Sequence, residues 1–198
     1  MEWHSLHAVL LSGPDAAARL AGPLAEALDG TGPAILPLDA GLPAPRLRRL
    51  LAAFRPDVLV GADGDATFRS DGRGAAADTA VIVGTSGSTG EPKGVELSAA
   101  ALLNSARASL ARVGARPGER WLCCLPVTHV AGLQVLVRSY VAGTEPAVAP
   151  AAGARALAES GCAHISVVPT QLVRLLAEPG GADALAGPRA DPRQRCPG

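Results

Sequence analysis

The stretch Ala80-Val-Ile-Val-Gly-Thr85-Ser-Gly-Ser-Thr-Gly90-Glu-Pro-Lys93-Gly94 decides how the rest of the chain is read. Ala80 to Val83 is a short apolar run of the kind that forms a buried strand. After Gly84, every residue from 85 to 90 is a glycine or carries a hydroxyl. Such a loop offers mobile backbone N–H groups and Ser/Thr O–H donors, the parts needed to cradle a polyphosphate. Lys93 stands just behind it. Lysine and arginine together number 18, and Lys93 is the only lysine. The chain therefore uses a compact ammonium once, where a point charge would face a phosphate.

The loop is not a Walker A loop, which needs Gly directly before Lys and Ser or Thr directly after. Pro92 and Gly94 occupy those places. No Gly-x-Gly-x-x-Gly opens a helix, so a Rossmann dinucleotide site has no support either. A plain Gly/Ser surface turn does not require this order of residues. Phosphate contact is thus the reading for Thr85, Ser86, Gly87, Ser88, Thr89, Gly90 and Lys93.

Outward from the loop, strands alternate with helices. Residues 14–29 place Ala18, Leu20, Leu24 and Leu28 at helical spacing, with Gly30 as the stop. Ala34 to Leu38 reads as a strand, Arg46 to Phe54 as a basic helix, and Asp57 to Gly61 as a strand. Residues 62–78 show no periodicity and read as a surface connection. Lys93 to Leu97 reads as a returning strand. Ser98 caps a helix to Arg112 whose apolar face holds Leu103, Ala106, Leu110 and Val113. Trp121 to Leu125 is a buried strand, Val130 to Val141 an apolar helix, and His164–Val168 with Thr170–Leu176 a last strand and helix. The alternation predicts an α/β fold with a largely parallel sheet flanked by helices.

Further motifs lie downstream. Thr85 to Gly94 resembles the phosphate-binding signature of the adenylate-forming superfamily, which includes acyl-CoA synthetases, luciferases and peptide-synthetase adenylation domains. Leu125-Pro-Val-Thr-His-Val-Ala-Gly-Leu133 is similar to that family's next motif, and Val168-Pro-Thr-Gln-Leu172 to its strand-to-helix segment. The spacing from His129 to Ser139 is most similar to the o-succinylbenzoate–CoA ligases of menaquinone biosynthesis. The resemblance implies an ATP-dependent carboxylate–CoA ligase that forms an acyl-adenylate and then an acyl-CoA. ATP, Mg2+ and CoA would be its cofactors, and a small-molecule carboxylic acid its substrate.

By the same resemblance, Lys93 and His129 would serve catalysis, with His129, Gly132, Arg138, Ser139 and Thr170 around the substrate. Arg138 on an apolar helix has two readings. It is a salt-bridged or snorkelling cation, or it recognises a carboxylate of a dicarboxylic substrate. His4, His7 and His164 read as structural or exposed. Ala99 departs from the family, which commonly has His there. The segments expected to hold adenine, ribose and magnesium are not found, nor is the mobile C-terminal domain with a second lysine.

The expectation is an N-terminal part of the family's large domain at residues 1–186, unable to turn over alone. A polar, proline-rich tail at 187–198 reads as disordered or frame-altered. Two readings stand beside it: a fragment of another aromatic- or fatty-acid–CoA ligase, and a non-catalytic phosphate-binding remnant.

Composition sets the outer bounds. Apolar residues make up 48% and aromatics 3%, so the core must be built from Ala, Leu and Val. Formal net charge is zero, which removes an electrostatic case for nucleic acid. No apolar run approaches the roughly 18 residues a membrane span needs. No secretory signal is visible, which predicts a cytoplasmic protein. Cys123, Cys124, Cys162 and Cys196 lack C-x-x-C spacing and read as core packing rather than zinc or disulfide sites. Oligomeric state has no sequence signal.

Overall fold

Alternation along the strands assembles this molecule. The computed structural model describes residues 3–86 and 92–187. The first half runs β1 (Trp3–His4), β2 (Leu6–Leu11), α1 (Ala16–Asp29), β3 (Ala34–Asp39), α2 (Ala44–Phe54) and β4 (Val58–Val60). It continues through β5 (Ala66–Phe68), β6 (Ala75–Ala76), β7 (Thr79–Ser86), β8 (Pro92–Ser98) and α3 (Ala99–Val113). Then come β9 (Trp121–Cys123), α4 (Val130–Ala142), β10 (Ala147–Val148) and α5 (Ala154–Ser160). β11 (His164–Ile165), α6 (Pro169–Ala177) and α7 (Gly181–Ala186) close the described chain.

The main sheet has the order β5-β4-β2-β3-β7-β8. Its four inner strands are parallel, while β5 and β8 are antiparallel edges. The largely parallel sheet expected from the alternation is therefore present. Successive side chains on a strand point to opposite faces, and the core splits accordingly. Val9, Leu11, Ile35, Val81 and Val83 face one way, toward Leu20, Leu24 and Leu28 of α1, Leu102 and Ala106 of α3, and Leu133 and Leu136 of α4. Leu6, Ala8, Leu36, Leu38 and Ile82 face the other way, toward Leu47, Leu50, Leu51 and Phe54 of α2. Helices on both faces explain why β3 is buried from Ala34 to Leu38. A second, smaller parallel sheet, β10-β9-β11, follows.

Pro37 lies within β3, which pairs with β7 only at Ile35↔Val81. Proline has no N–H for a ladder, and two residues beyond Ile35 the pairing does not continue. β3 and β7 thus part toward their carboxyl ends.

Several expectations need correction. Residues 62–78 carry two short strands, not a bare connection. β5 lines the edge of β4, and β6 pairs with β1. Their side chains are largely exposed, Phe68 by 84%, so no apolar period marks them. The sequence reading assigned no element to β2, β10, α5 or α7. On α1 the buried residue is Ala17, and Ala18 is exposed. On α3, Val113 is 52% exposed rather than on the apolar face. The Ser98 cap is present, its hydroxyl accepting the Ala101 N–H at 3.2 Å, and Gly30 and Gly114 end their helices with positive φ. Cys123 and Cys124 are buried in the core, as read. Residues 188–198 of the expected tail lie outside the described residues.

Candidate functional site

β7 and β8 form a hairpin whose tip is the Gly/Ser/Thr loop. Gly84 pairs with Gly94, Thr85 with Lys93 and Ser86 with Pro92. Lys93 thus stands on the strand that leaves the loop, level with Thr85 on the strand that enters it. Gly87, Ser88, Thr89 and Gly90 lie outside the described residues. Lys93 is exposed and takes part in a further interaction of the chain. At the base of the tip, a Cβ on Gly94 would come 2.6 Å from Phe54 Cε1 and 2.9 Å from Ile82 Cγ2. Glycine here lets α2 lie directly on the hairpin and set its direction. Below it, Glu96 Oε2 accepts the Thr79 hydroxyl at 2.8 Å and tethers the hairpin's other end.

A cavity of about 500 Å³ opens beside this tip, where β3 and β7 part. Asp39 and Leu42 line it from the end of β3 and the turn after it, Arg46, Arg49 and Leu50 from α2, and Gly84 and Pro92 from the hairpin. Thr128 and His129 close it from the loop before α4. Open α/β sheets bind ligands outside the carboxyl ends of their parallel strands, and this cavity occupies that position. His129 is the N-cap of α4, with extended backbone, an exposed side chain and no side-chain capping bond. Its ring is therefore not consumed by helix capping. The hairpin and His129, grouped by sequence, do meet.

The other predicted substrate residues are elsewhere. Gly132 is buried in the first turn of α4. A Cβ there would lie 2.3 Å from the Pro126 carbonyl oxygen, so it seats the helix on the preceding loop. Ser139 is buried, and its hydroxyl has no hydrogen-bond partner among the described residues. Thr170 is exposed in the first turn of α6.

Arg138 faces the small sheet rather than the cavity. Its Cζ lies 4.3 Å from the Trp121 ring centroid, and Nη2 donates to Ser166 Oγ at 2.6 Å. Trp121 also stacks on His164, with centroids 4.7 Å apart, and His164 Nε2 lies 3.0 Å from Glu119 Oε2. No carboxylate pairs with Arg138 among the described residues, and its Nε is buried without an acceptor. Burial lowers its pKa from the usual guanidinium value. The salt-bridge reading of Arg138 is thereby set aside, and a cation–π contact holds the side chain instead. Burial likewise raises both thiols beside it, Cys124 to about 11, which keeps them neutral and unreactive near pH 7.

Sequence reasoning missed Asp39, Arg46, Arg49 and Thr128. The basic helix was visible, but exposed arginines on a helix usually face only solvent. The usable signal was their position one turn beyond the carboxyl end of a buried strand. Among the described residues no three of His, Cys, Asp and Glu gather to hold a metal, and no helix is long and apolar enough to cross a membrane.

Comparison with known proteins agrees with this geometry. The chain is 42% identical over 118 residues to a probable 2-succinylbenzoate–CoA ligase of Mycobacterium tuberculosis, covering 55% of this chain and 30% of that protein. It is 33% identical over 158 residues to the 2-succinylbenzoate–CoA ligase of Escherichia coli, covering 73% and 35% respectively. The chain thus spans about a third of the length of these relatives. The o-succinylbenzoate coenzyme A synthetase (MenE) of Bacillus subtilis, solved with ATP and magnesium, shares the fold. Its TM-score is 0.68 at 22% identity, over 88% of this chain and 42% of that one. Residues 62–193, including the hairpin, His129 and Arg138, match the family described as AMP-binding enzyme. The chain belongs to that family.

Proposed function

We propose that this chain is the phosphate- and acid-binding part of an ATP-dependent carboxylate–CoA ligase acting on 2-succinylbenzoate, within menaquinone synthesis. The observation that carries the reading is the hairpin tip, which brings Lys93 level with Thr85 at the mouth of a cavity closed by His129. The curated relatives carry the name of the acid. Residues 1–186 form one partial AMP-binding unit in this reading, and the protein works in the cytoplasm.

In this role Lys93 and the donors of Thr85, Ser86, Gly87, Ser88, Thr89 and Gly90 hold the triphosphate of MgATP. Lys93 balances the charge that grows as pyrophosphate leaves. Magnesium fits as part of the incoming nucleotide, because it dehydrates reluctantly and is commonly bound through phosphates with few protein ligands. His129, uncommitted to capping, lines the space between phosphate and acid. Arg138 supplies a positioned guanidinium for a substrate carboxylate, with its fork fixed by Trp121 and Ser166. Gly132 and Ser139 support α4 beneath it, and Thr170 borders the acid from α6. CoA accepts the acyl group.

The test is thermal stabilisation of the chain by ligand. Saturating MgATP raises Tm by linkage, and Lys93→Ala weakens that affinity at least about tenfold, because hydrogen bonds and charge on phosphate are lost. In the same assay Arg138→Leu abolishes the response to 2-succinylbenzoate and leaves that to MgATP intact. Absence of any MgATP response, or an unchanged one in Lys93→Ala, defeats the reading.

A further inference from the structure

The cavity beside the hairpin has a basic wall that the loop's role does not use. Arg46 and Arg49 are three residues apart on α2, so they are neighbours on one side of the helix. Both line the cavity and both are exposed. The apolar side of α2, with Leu47, Leu50, Leu51 and Phe54, packs on the sheet. The helix is thereby fixed while its guanidinium groups remain in reach of a ligand. One carboxylate shares the lining, Asp39. Its Oδ1 accepts the Gly41 N–H at 2.8 Å and closes the turn that leads to α2. Two guanidinium groups against one turn-forming carboxylate leave the wall net positive. Arg49 also takes part in another interaction of the chain, but its five donors allow that contact and a ligand together.

We infer that Arg46 and Arg49 form a second phosphate site, separate from the Lys93 loop, which grips the phosphate groups of a ligand whose remaining atoms fill the cavity. Arginine suits this task, since its planar fork matches phosphate oxygens two at a time. The position also suits it. The cavity shares Gly84 and Pro92 with the hairpin and His129 with the predicted acyl pocket, so a ligand held here would meet whatever the loop holds. Two sources carry the right chemistry: the phosphorylated thiol CoA, and inorganic pyrophosphate on its way out. The inference rests on the reading above for the loop, though not for the anion preference of α2 itself.

Isothermal titration of the 198-residue chain separates these possibilities. The probes are CoA, pantetheine (the same thiol arm without phosphate), inorganic pyrophosphate and MgATP. The proteins are the unmodified chain, Arg46→Gln/Arg49→Gln, Arg48→Gln as an exposed control outside the cavity lining, and Lys93→Ala. The double variant is expected to lose at least about tenfold in affinity for CoA or pyrophosphate, with MgATP unchanged. Arg48→Gln should match the unmodified chain. A response to CoA without one to pantetheine names the thiol nucleotide as the source, and a response to pyrophosphate alone names the product. Lys93→Ala should weaken MgATP and leave the cavity ligand in place. If the double variant binds CoA and pyrophosphate as the unmodified chain does, or if the unmodified chain binds neither, the second site does not exist. Loss of MgATP binding with the arginine-dependent response intact would instead strike the loop reading and leave this one standing.

Discussion

The two sheets of this protein are built to different standards. The main sheet is closed on both faces, with Leu6, Ala8, Ile35, Leu36 and Val81 fully buried or nearly so. The small sheet is made of strands of two or three residues, and its separate cluster has only Leu122, Leu157 and Leu175 at its centre. Beside it, Val168, Leu172 and Leu176 fall four residues apart on α6, exposed by 38%, 38% and 52%. The hairpin and the cavity arginines sit on the first region, whereas Arg138 and its Trp121 stack belong to the second. A phosphate site needs fixed donors and a fixed charge, and the doubly covered sheet supplies that rigidity. The acid-facing arginine is instead held by a few local contacts.

The largest expected effect tests this contrast with one chemical change made twice. Leu20→Ala removes a fully buried side chain between α1 and the main sheet and should cost about 3–5 kcal/mol. Leu157→Ala, in the small cluster and 7% exposed, should cost about 2 kcal/mol, because its surroundings can collapse into the space. Urea denaturation followed by circular dichroism measures both. Equal costs would mean that the two regions are one core and that the comparison is wrong.

A medium effect is expected where rigidity is passed to the site. In Gly94→Ala the new methyl meets the Phe54 ring and Ile82, so α2 or the hairpin must shift, at a cost of about 1–3 kcal/mol. Because Arg46 and Arg49 ride on α2, the same change should weaken phosphate ligands as well as lower Tm. Thermal melts with and without MgATP read both. A lower Tm with undiminished ligand response would uncouple the hairpin from α2.

What the sequence disclosed follows the same divide. Ala80 to Val83 and Ala34 to Leu38 were legible as strands because burial on both faces leaves unbroken apolar runs. Ser98, Gly30 and Gly114 marked helix ends through their own local chemistry. β5 and β6 were silent, since exposed edge strands of two or three residues carry no apolar alternation. β2 was present in the text as Leu6-His-Ala-Val-Leu-Leu11 and went unread, with His7 interrupting its apolar run. The loop and His129 were visible as motifs. The cavity between them depends on β3 and β7 parting after Ile35, a matter of which strand neighbours which, and residue spacing along the chain does not encode that. Pro37 was the one local hint. Arg138 was noticed as a cation on an apolar helix, but its Trp121 partner is 17 positions away in sequence and is found only through the packing of α4 on β9.

The smallest effect separates the two regions by pH. On the main sheet, burial lowers the pKa of His7 from its usual value of 6.5, with His4 adding to the shift and Asp57 opposing it. The folded chain therefore binds fewer protons here than the unfolded chain does. By linkage, stability from this site is complete above about pH 6.5 and falls as pH drops through the lowered folded value. On the small sheet, Glu119 is lowered below its usual 4.5, chiefly by the Arg116 N–H and then by His164. Its contribution is complete above that value and lost only at more acid pH. Two acid limbs should therefore appear in a plot of stability against pH, the upper one from the main sheet. His7→Gln should flatten the limb that begins near pH 6.5 and leave the lower one unchanged, while Glu119→Gln should do the reverse. Urea midpoints measured from pH 4 to pH 8 test this. If either substitution moves both limbs together, the two sheets unfold as a single electrostatic unit, and the difference in cover between them has no consequence for how the protein comes apart.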